Sequence, residues 1–289
     1  YKNLTLYIYE LLKTYKMRRR GNSKIKLLIG AGIVIFSLFQ YFSNSEVNEF
    51  TGKKQHISIT VDDEIAIGLQ SAPTMAQQHG GLYPDQKYQQ FVDQVGRKLV
   101  NNSIAQQTNY KYDFHLLKDA QTINDFALPG GQIFITYAQF SKLENEDQLA
   151  GVLGHEIGHV VGRHSAERMS KQNLTQGILS GVAVGIDPST AQGAAALANI
   201  INMSYGREDE LESDDLGVKF MIDAGYNPSA LIGVMKILKE AGFLKVDRRG
   251  RWAYYSIRNP LDQFRQSILK EISCLDMNIS LLNKGCKVE

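Results

Sequence analysis

His155-Glu156-Ile157-Gly158-His159 constrains this chain more than any other stretch, because it asks for a helix that carries ionisable groups on a face that must also be buried. Residues four apart stand one above the other on a helix of 3.6 residues per turn, so the two imidazoles reach a single point, with Glu156 beside them. The surrounding residues supply the helix. Asn145 is a suitable N-cap, and Asp147 and Gln148 suit the positive end of the helix dipole. Leu149, Val152, Leu153, Ile157, Val160 and Val161 recur at three- and four-residue steps, and the pattern predicts one helix from Glu146 to Arg168. Two imidazoles on such a stripe are costly to desolvate unless a metal or hydrogen bonds satisfy them. A shared metal ion, with Glu156 as the base that takes a proton from water, is the chemistry this spacing suits.

The remaining histidines narrow the third ligand. They stand at 56, 79, 115 and 164. His164 falls one residue short of the last position of HExxHxxGxxH, and in a continuing helix it points about 140° away from His159. A carboxylate from a later helix is then the expected third ligand, in a two-histidine, one-glutamate set that leaves a position open for water. The run Arg207 to Ala224 offers such a helix, with Glu208, Asp209, Glu210, Glu212, Asp214 and Asp215 crowding its first half. Glu210 and Asp214 are four apart, so one can bind a metal while the other accepts a hydrogen bond from the free nitrogen of a ligand histidine. Spacing alone leaves Glu208, Glu210 and Glu212 open.

Three runs taken together, Phe126 to Gly131 (FALPGG), His155 to His164 and Tyr205 to Asp214, resemble the HtpX and CAAX-prenyl-endopeptidase family of gluzincin metalloproteases over residues 60–270. The resemblance implies one Zn²⁺ per chain held by His155, His159 and Glu210, Glu156 as catalytic base, and Asp214 as the hydrogen-bond partner of a ligand histidine. It also implies protein or peptide substrates. The fold it implies is α+β and mainly helical, a zincin-like domain with a small β-sheet beside the metal-bearing helix. Pro129-Gly130-Gly131 marks a tight turn, and Gln132 to Thr136 reads as a short strand. In zincins such a strand is an edge strand that pairs with extended substrate, which makes Gly131, Gln132 and Ile133 candidate substrate-binding residues. Where family members carry a His-Pro pair, this chain has Ser256-Ile257-Arg258-Asn259-Pro260, so Arg258 stands near the place of a missing histidine. Arg258, Tyr205, Tyr254 and Tyr255 are candidates for contacting the oxyanion.

Charge is distributed unevenly. Residues 1–26 hold eight Lys/Arg and one acid, a net +7, so the rest of a chain of net +2 carries −5 and implies no nucleic-acid partner. Arg18-Arg19-Arg20, Lys24 and Lys26 precede an apolar stretch, Leu27 to Phe42. The positive-inside rule keeps the basic side in the cytoplasm and exports the long part beyond the apolar stretch. The expected organisation is a basic cytoplasmic segment (1–24), a transmembrane signal-anchor (25–43), a linker (44–59), a zinc metallopeptidase domain (60–272) and a tail (273–289). A cleaved secretory signal is the alternative to the anchor. Val61 to Gln78 and Pro84 to Asn101 read as helices, Tyr110 to Leu117 as a strand, and the Gly/Ala-rich stretch Thr175 to Ser204 as core helices too short to span a bilayer. Cys274 and Cys286 can close a small disulfide loop in an exported domain. The function implied is a membrane-anchored zinc endopeptidase acting on proteins outside the cytoplasm, with a zinc-binding envelope chaperone or assembly factor of weak or latent proteolysis as the alternative.

Overall fold

The computed structural model describes residues 24–185, 205–240, 242, 244–249 and 252–257. Its first helix, α1 (Lys24–Ser43), is the only helix among the described residues long and apolar enough to cross a membrane. Ile29, Ile35, Phe36, Phe39 and Phe42 on it are exposed. The stretch expected to be a linker is instead a β-hairpin, β1 (Ser45–Val47) paired with β2 (Lys54–His56). Asn48 builds its turn by accepting hydrogen bonds from the Phe50 and Thr51 backbone N–H groups. Two short, largely polar strands hold together here because the hairpin docks. Asn48 and Gln55 are buried, and their side-chain amides donate to the carbonyls of Val161 (2.9 Å) and Gly162 (2.6 Å).

Helix α2 (Val61–Gln78) starts at a capping box of Thr60 and Asp63, and α3 (Gln86–Asn101) starts at the N-cap Asp85. They lead into a three-stranded sheet of β3 (Asp113–Leu117), β4 (Asp125–Ala127) and β5 (Gln132–Thr136). Its order is β3-β5-β4, with β5 parallel to β3 and antiparallel to β4. A single turn of helix, α4 (Tyr137–Phe140), leaves the end of β5. All five residues of β5 are buried. This corrects the expectation of an edge strand at 132–136: hydrogen bonds take both sides of β5, and the edges are β3, partly covered by backbone contacts from Gly81, Leu82 and Tyr83, and β4, the freer of the two.

The core forms around α5 (Glu146–Val161), capped by Asn145. Leu149, Leu153 and Ile157 are fully buried against a cluster that includes Leu99, Ile133, Ile135, Phe220 and Met221. The single helix expected from Glu146 to Arg168 is two. α5 ends at Val161, Arg163 adopts φ 55, and α6 (His164–Gly185) begins afresh. The hairpin amides take the carbonyls at this break. The Arg163 guanidinium bonds Glu46, the Glu64 carboxylate and the Ile59 carbonyl, which holds the left-handed conformation in place. Helices α7 (Arg207–Asp223) and α8 (Leu231–Glu240) complete the core, and the hairpin β6 (Leu244–Arg249) and β7 (Trp252–Ile257) comes after them.

The second half of α6 departs from expectation. Among residues 175–184 only Gly181 is buried, so this part of the Gly/Ala-rich stretch leaves the core rather than joining it. Residues 186–204, Arg258, Cys274 and Cys286 lie outside the described residues.

Candidate metal centre

Helices α5 and α7 cross with backbone against backbone. A Cβ on Gly158 would lie 2.9 Å from the Cα and carbonyl oxygen of Ser213, and one on Gly217 would lie 3.0 Å from the His155 nitrogen. This approach brings the acidic first half of α7 over the two histidines. His155 Nε2 and His159 Nε2 stand 3.0 Å apart. Glu210 reaches both, with Oε2 3.5 Å from His155 Nε2 and Oε1 3.8 Å from His159 Nε2. Asp214, one turn along α7, holds the other nitrogen of His155 at 2.9 Å. Glu208 is exposed, while Glu212 turns away to His164 and Lys53.

Hydrogen bonding decides which nitrogen of each histidine carries the proton. A carboxylate oxygen accepts, so His155 donates from Nδ1 to Asp214, and Nε2 is the nitrogen turned toward Glu210 and His159. His159 Nδ1 lies 2.8 Å from His164 Nδ1, and His164 Nε2 lies 2.8 Å from Glu212 Oε2. In the tautomer in which His164 donates from Nε2 to Glu212, its Nδ1 is an acceptor for His159 Nδ1–H, which leaves His159 Nε2 as the nitrogen facing His155. Lys53, in the hairpin turn, extends the chain with contacts to Asp209 (2.6 Å) and Glu212 (3.3 Å). His164 and Glu212 are residues whose part here the sequence reading missed. The break at Gly162-Arg163 swings the His164 ring back toward His159, and its only sequence signal is a glycine late in the helix.

Glu156 is buried beside the two histidines. Burial, then the nearby Asp125 charge, pushes its carboxyl above the usual carboxylate range, against the pull of His155 and the Ala127 N–H. Burial works against the charged form of His155, yet Asp214 and Glu210 hold its pKa well above the ordinary value. His159 is driven the other way by burial and by the positive charges of its neighbours. Tyr205 stacks on the His159 ring at 4.1 Å between centroids, and its hydroxyl pairs with Ser165 Oγ at 2.8 Å.

Of the other candidates from the sequence, Arg258 and the side chains of Tyr254 and Tyr255 lie outside what the structure describes. Gly131, Gln132 and Ile133 are buried, and the Gln132 side chain bonds His115 and the Lys111 carbonyl. Their sheet partner β4 lies on the freer edge, and the Ala127 N–H at its end reaches Glu156.

His155 Nε2 and His159 Nε2 face each other at 3.0 Å, with a carboxylate within 4 Å of both, so three donor groups converge where one cation could be shared. Imidazole and carboxylate donors suit zinc, so these residues fit the ion. Among curated proteins, the chain is 25% identical over 209 residues to the mitochondrial metalloendopeptidase OMA1 of Schizosaccharomyces pombe, covering 71% of this chain and 58% of that protein. It is 29% identical over 174 residues to the beta-barrel assembly-enhancing protease of Escherichia coli K12, covering 56% of this chain and 35% of the relative. It is 32% identical over 157 residues to the OMA1 of Saccharomyces cerevisiae, covering 52% and 43%. The chain thus spans between about a third and three fifths of the length of these relatives. The family model for Peptidase family M48 matches residues 86–270, a span that holds the HExxH helix and the α7 carboxylates, and the chain belongs to that family.

Proposed function

We propose that this chain is a membrane-anchored zinc endopeptidase that hydrolyses peptide bonds in proteins outside the cytoplasm. The observation that carries this reading is the convergence of His155 Nε2, His159 Nε2 and the Glu210 carboxylate, with Glu156 buried beside them. His155, His159 and Glu210 hold the ion in a zincin-like arrangement, and the resemblance to HtpX and CAAX-prenyl endopeptidases supports the same assignment. When bound, zinc polarises the scissile carbonyl and lowers the pKa of water. Glu156 takes a proton from the attacking water and passes it to the leaving amine. Asp214 and the His164–Glu212 pair keep both ligand histidines in the tautomer that leaves Nε2 free. An extended substrate adds as a further strand on the free edge of β4, beside Glu156, in place of the edge expected at Gln132 and Ile133. The basic flank before α1 supports a catalytic domain on the side of the membrane away from the cytoplasm.

Glu156→Gln keeps the size of the side chain and removes the base. In membranes carrying the full chain, this variant should cleave an unfolded test protein such as casein about 10²–10⁴-fold more slowly, while metal analysis returns the same zinc content. Undiminished cleavage would sink the mechanism. One relative's name joins barrel assembly to proteolysis, which favours a second reading, an assembly factor of the envelope. Complementation of a deletion strain by Glu156→Gln would favour that reading, because an assembly role survives loss of the base.

A further inference from the structure

The second half of α6 runs antiparallel to α1 and touches it at backbone distance. Gly177 lies against Ser37, while Gly181 lies against Gly30 and Val34. A Cβ on Gly181 would stand 2.5 Å from the Gly30 carbonyl oxygen and 2.6 Å from the Val34 side chain. Close approach through small residues is how helices pack where lipid, not water, surrounds them. Depth comes from the same contact. At 1.5 Å per residue, Val34 lies about 14 Å and Gly30 about 20 Å along α1 from Ser43, the end joined to the domain. In a hydrocarbon core about 30 Å thick, a residue packed on Gly30 is past the middle.

The composition of α6 fits that environment. Its last charged residue is Lys171, exposed and paired with Glu167 at 3.1 Å, and no charge comes after it until Asp187. Beyond Lys171 the helix reads QNLTQGILSGVAVG, and Ala183 and Val184 are exposed. A helix that carries such residues away from the core either meets water along an apolar side or meets lipid. α1, against which it lies, is itself almost wholly uncovered by protein.

We propose that α6 from Leu174 onward enters the bilayer beside α1, so that two adjacent lipid-embedded helices hold the domain. The inference rests on reading α1 as a retained membrane anchor. His164 stands ten residues, about 15 Å, from Leu174, so the metal centre is held close to the bilayer surface and not on a free tether.

The test uses the full chain in liposomes, with Cys274 and Cys286 replaced by serine and one cysteine introduced for a spin label. Labels go on Ala183 and Val184 in α6, Phe36 in α1 and Asn101 in α3. Collision with oxygen, which concentrates in lipid, is compared with collision with a water-soluble nickel chelate. The oxygen-to-nickel ratio at Ala183 and Val184 should match that at Phe36 and exceed that at Asn101 several-fold. If both α6 sites behave like Asn101 while Phe36 reports lipid, the insertion of α6 is wrong and the anchor stands. If Phe36 also reports water, the anchor reading fails and takes this inference with it. Zinc content of each labelled chain shows that the domain has folded.

Discussion

His164 illustrates how far a side chain's role depends on where a helix stops. In an unbroken helix its ring would face away from His159; after the turn at Arg163 its Nδ1 stands 2.8 Å from His159 Nδ1, within hydrogen-bond reach. His164→Phe keeps a flat ring of similar bulk and removes the hydrogen-bond partner of His159 Nδ1. Metal affinity should fall about 10- to 100-fold, the range for losing such a supporting partner. Competition with a chromophoric chelator measures it, and an unchanged affinity would mean that His164 only fills space. Asp119 is a residue of another kind, with none of its hydrogen bonds to the candidate metal ligands. The backbone N–H groups of Thr122 and Gln121, and then His79, hold its pKa well below the usual carboxylate range. The folded-state value lies below the unfolded one, about 3.9, so the carboxylate stabilises the fold above that pH and loses its effect as the pH falls toward the folded value. Asp119→Ala should lower the melting temperature at pH 7, with the gap from the parent chain narrowing below about pH 4. A gap that stays constant with pH would refute the assignment.

At the scale of elements, the crossing of α5 and α7 sets two tendencies against each other at Gly158. Alanine is the better helix former by about 1 kcal/mol, which by itself favours Gly158→Ala. The new Cβ, however, would sit 2.9 Å from the Ser213 backbone, which cannot move without shifting α7. The clash should win, so the variant is expected to bind zinc more weakly and to unfold at a lower temperature, read by calorimetry with and without zinc. A rise in stability with full zinc binding would show that α7 yields easily. Helices α2, α3, α5 and α7 were legible in the sequence because caps and apolar periodicity are local signals. The β1–β2 hairpin was not, since its strands are three residues long and its buried groups, Asn48 and Gln55, bury only because they meet the end of α5. Nor was the interior place of β5, because the alternation of Ile133, Phe134 and Ile135 does not say which neighbours take its two edges. The second half of α6 misled for a further reason: an uncharged Gly/Ala helix reads alike for a protein core and for a lipid-facing side. In the site, His155, Glu156 and His159 could be read from spacing. Glu210 needed the family resemblance, and the His164–Glu212 pair needed the fold.

The molecule as a whole brings its donors from two stretches of chain separated by α6, so an ion that both helices bind ties distant parts of the sequence together. A ligand that binds only the folded chain stabilises it by about 4 kcal/mol at a thousand times its Kd. Chelation should therefore lower the melting temperature of the full chain in detergent, and added zinc should restore it. An unchanged melting temperature would show that the donors are not occupied. The glycine seam between α5 and α7 has a further consequence for how the chain can change. Where backbone meets backbone, the gap between the two sets of donors works as a caliper without an adjusting screw. Repacking Leu153, Ile157 or Phe220 can loosen the core around it but cannot widen the jaws. Substitutions at positions 154, 158, 213 and 217, where the two backbones meet, are the ones expected to move the two sets of donors relative to each other.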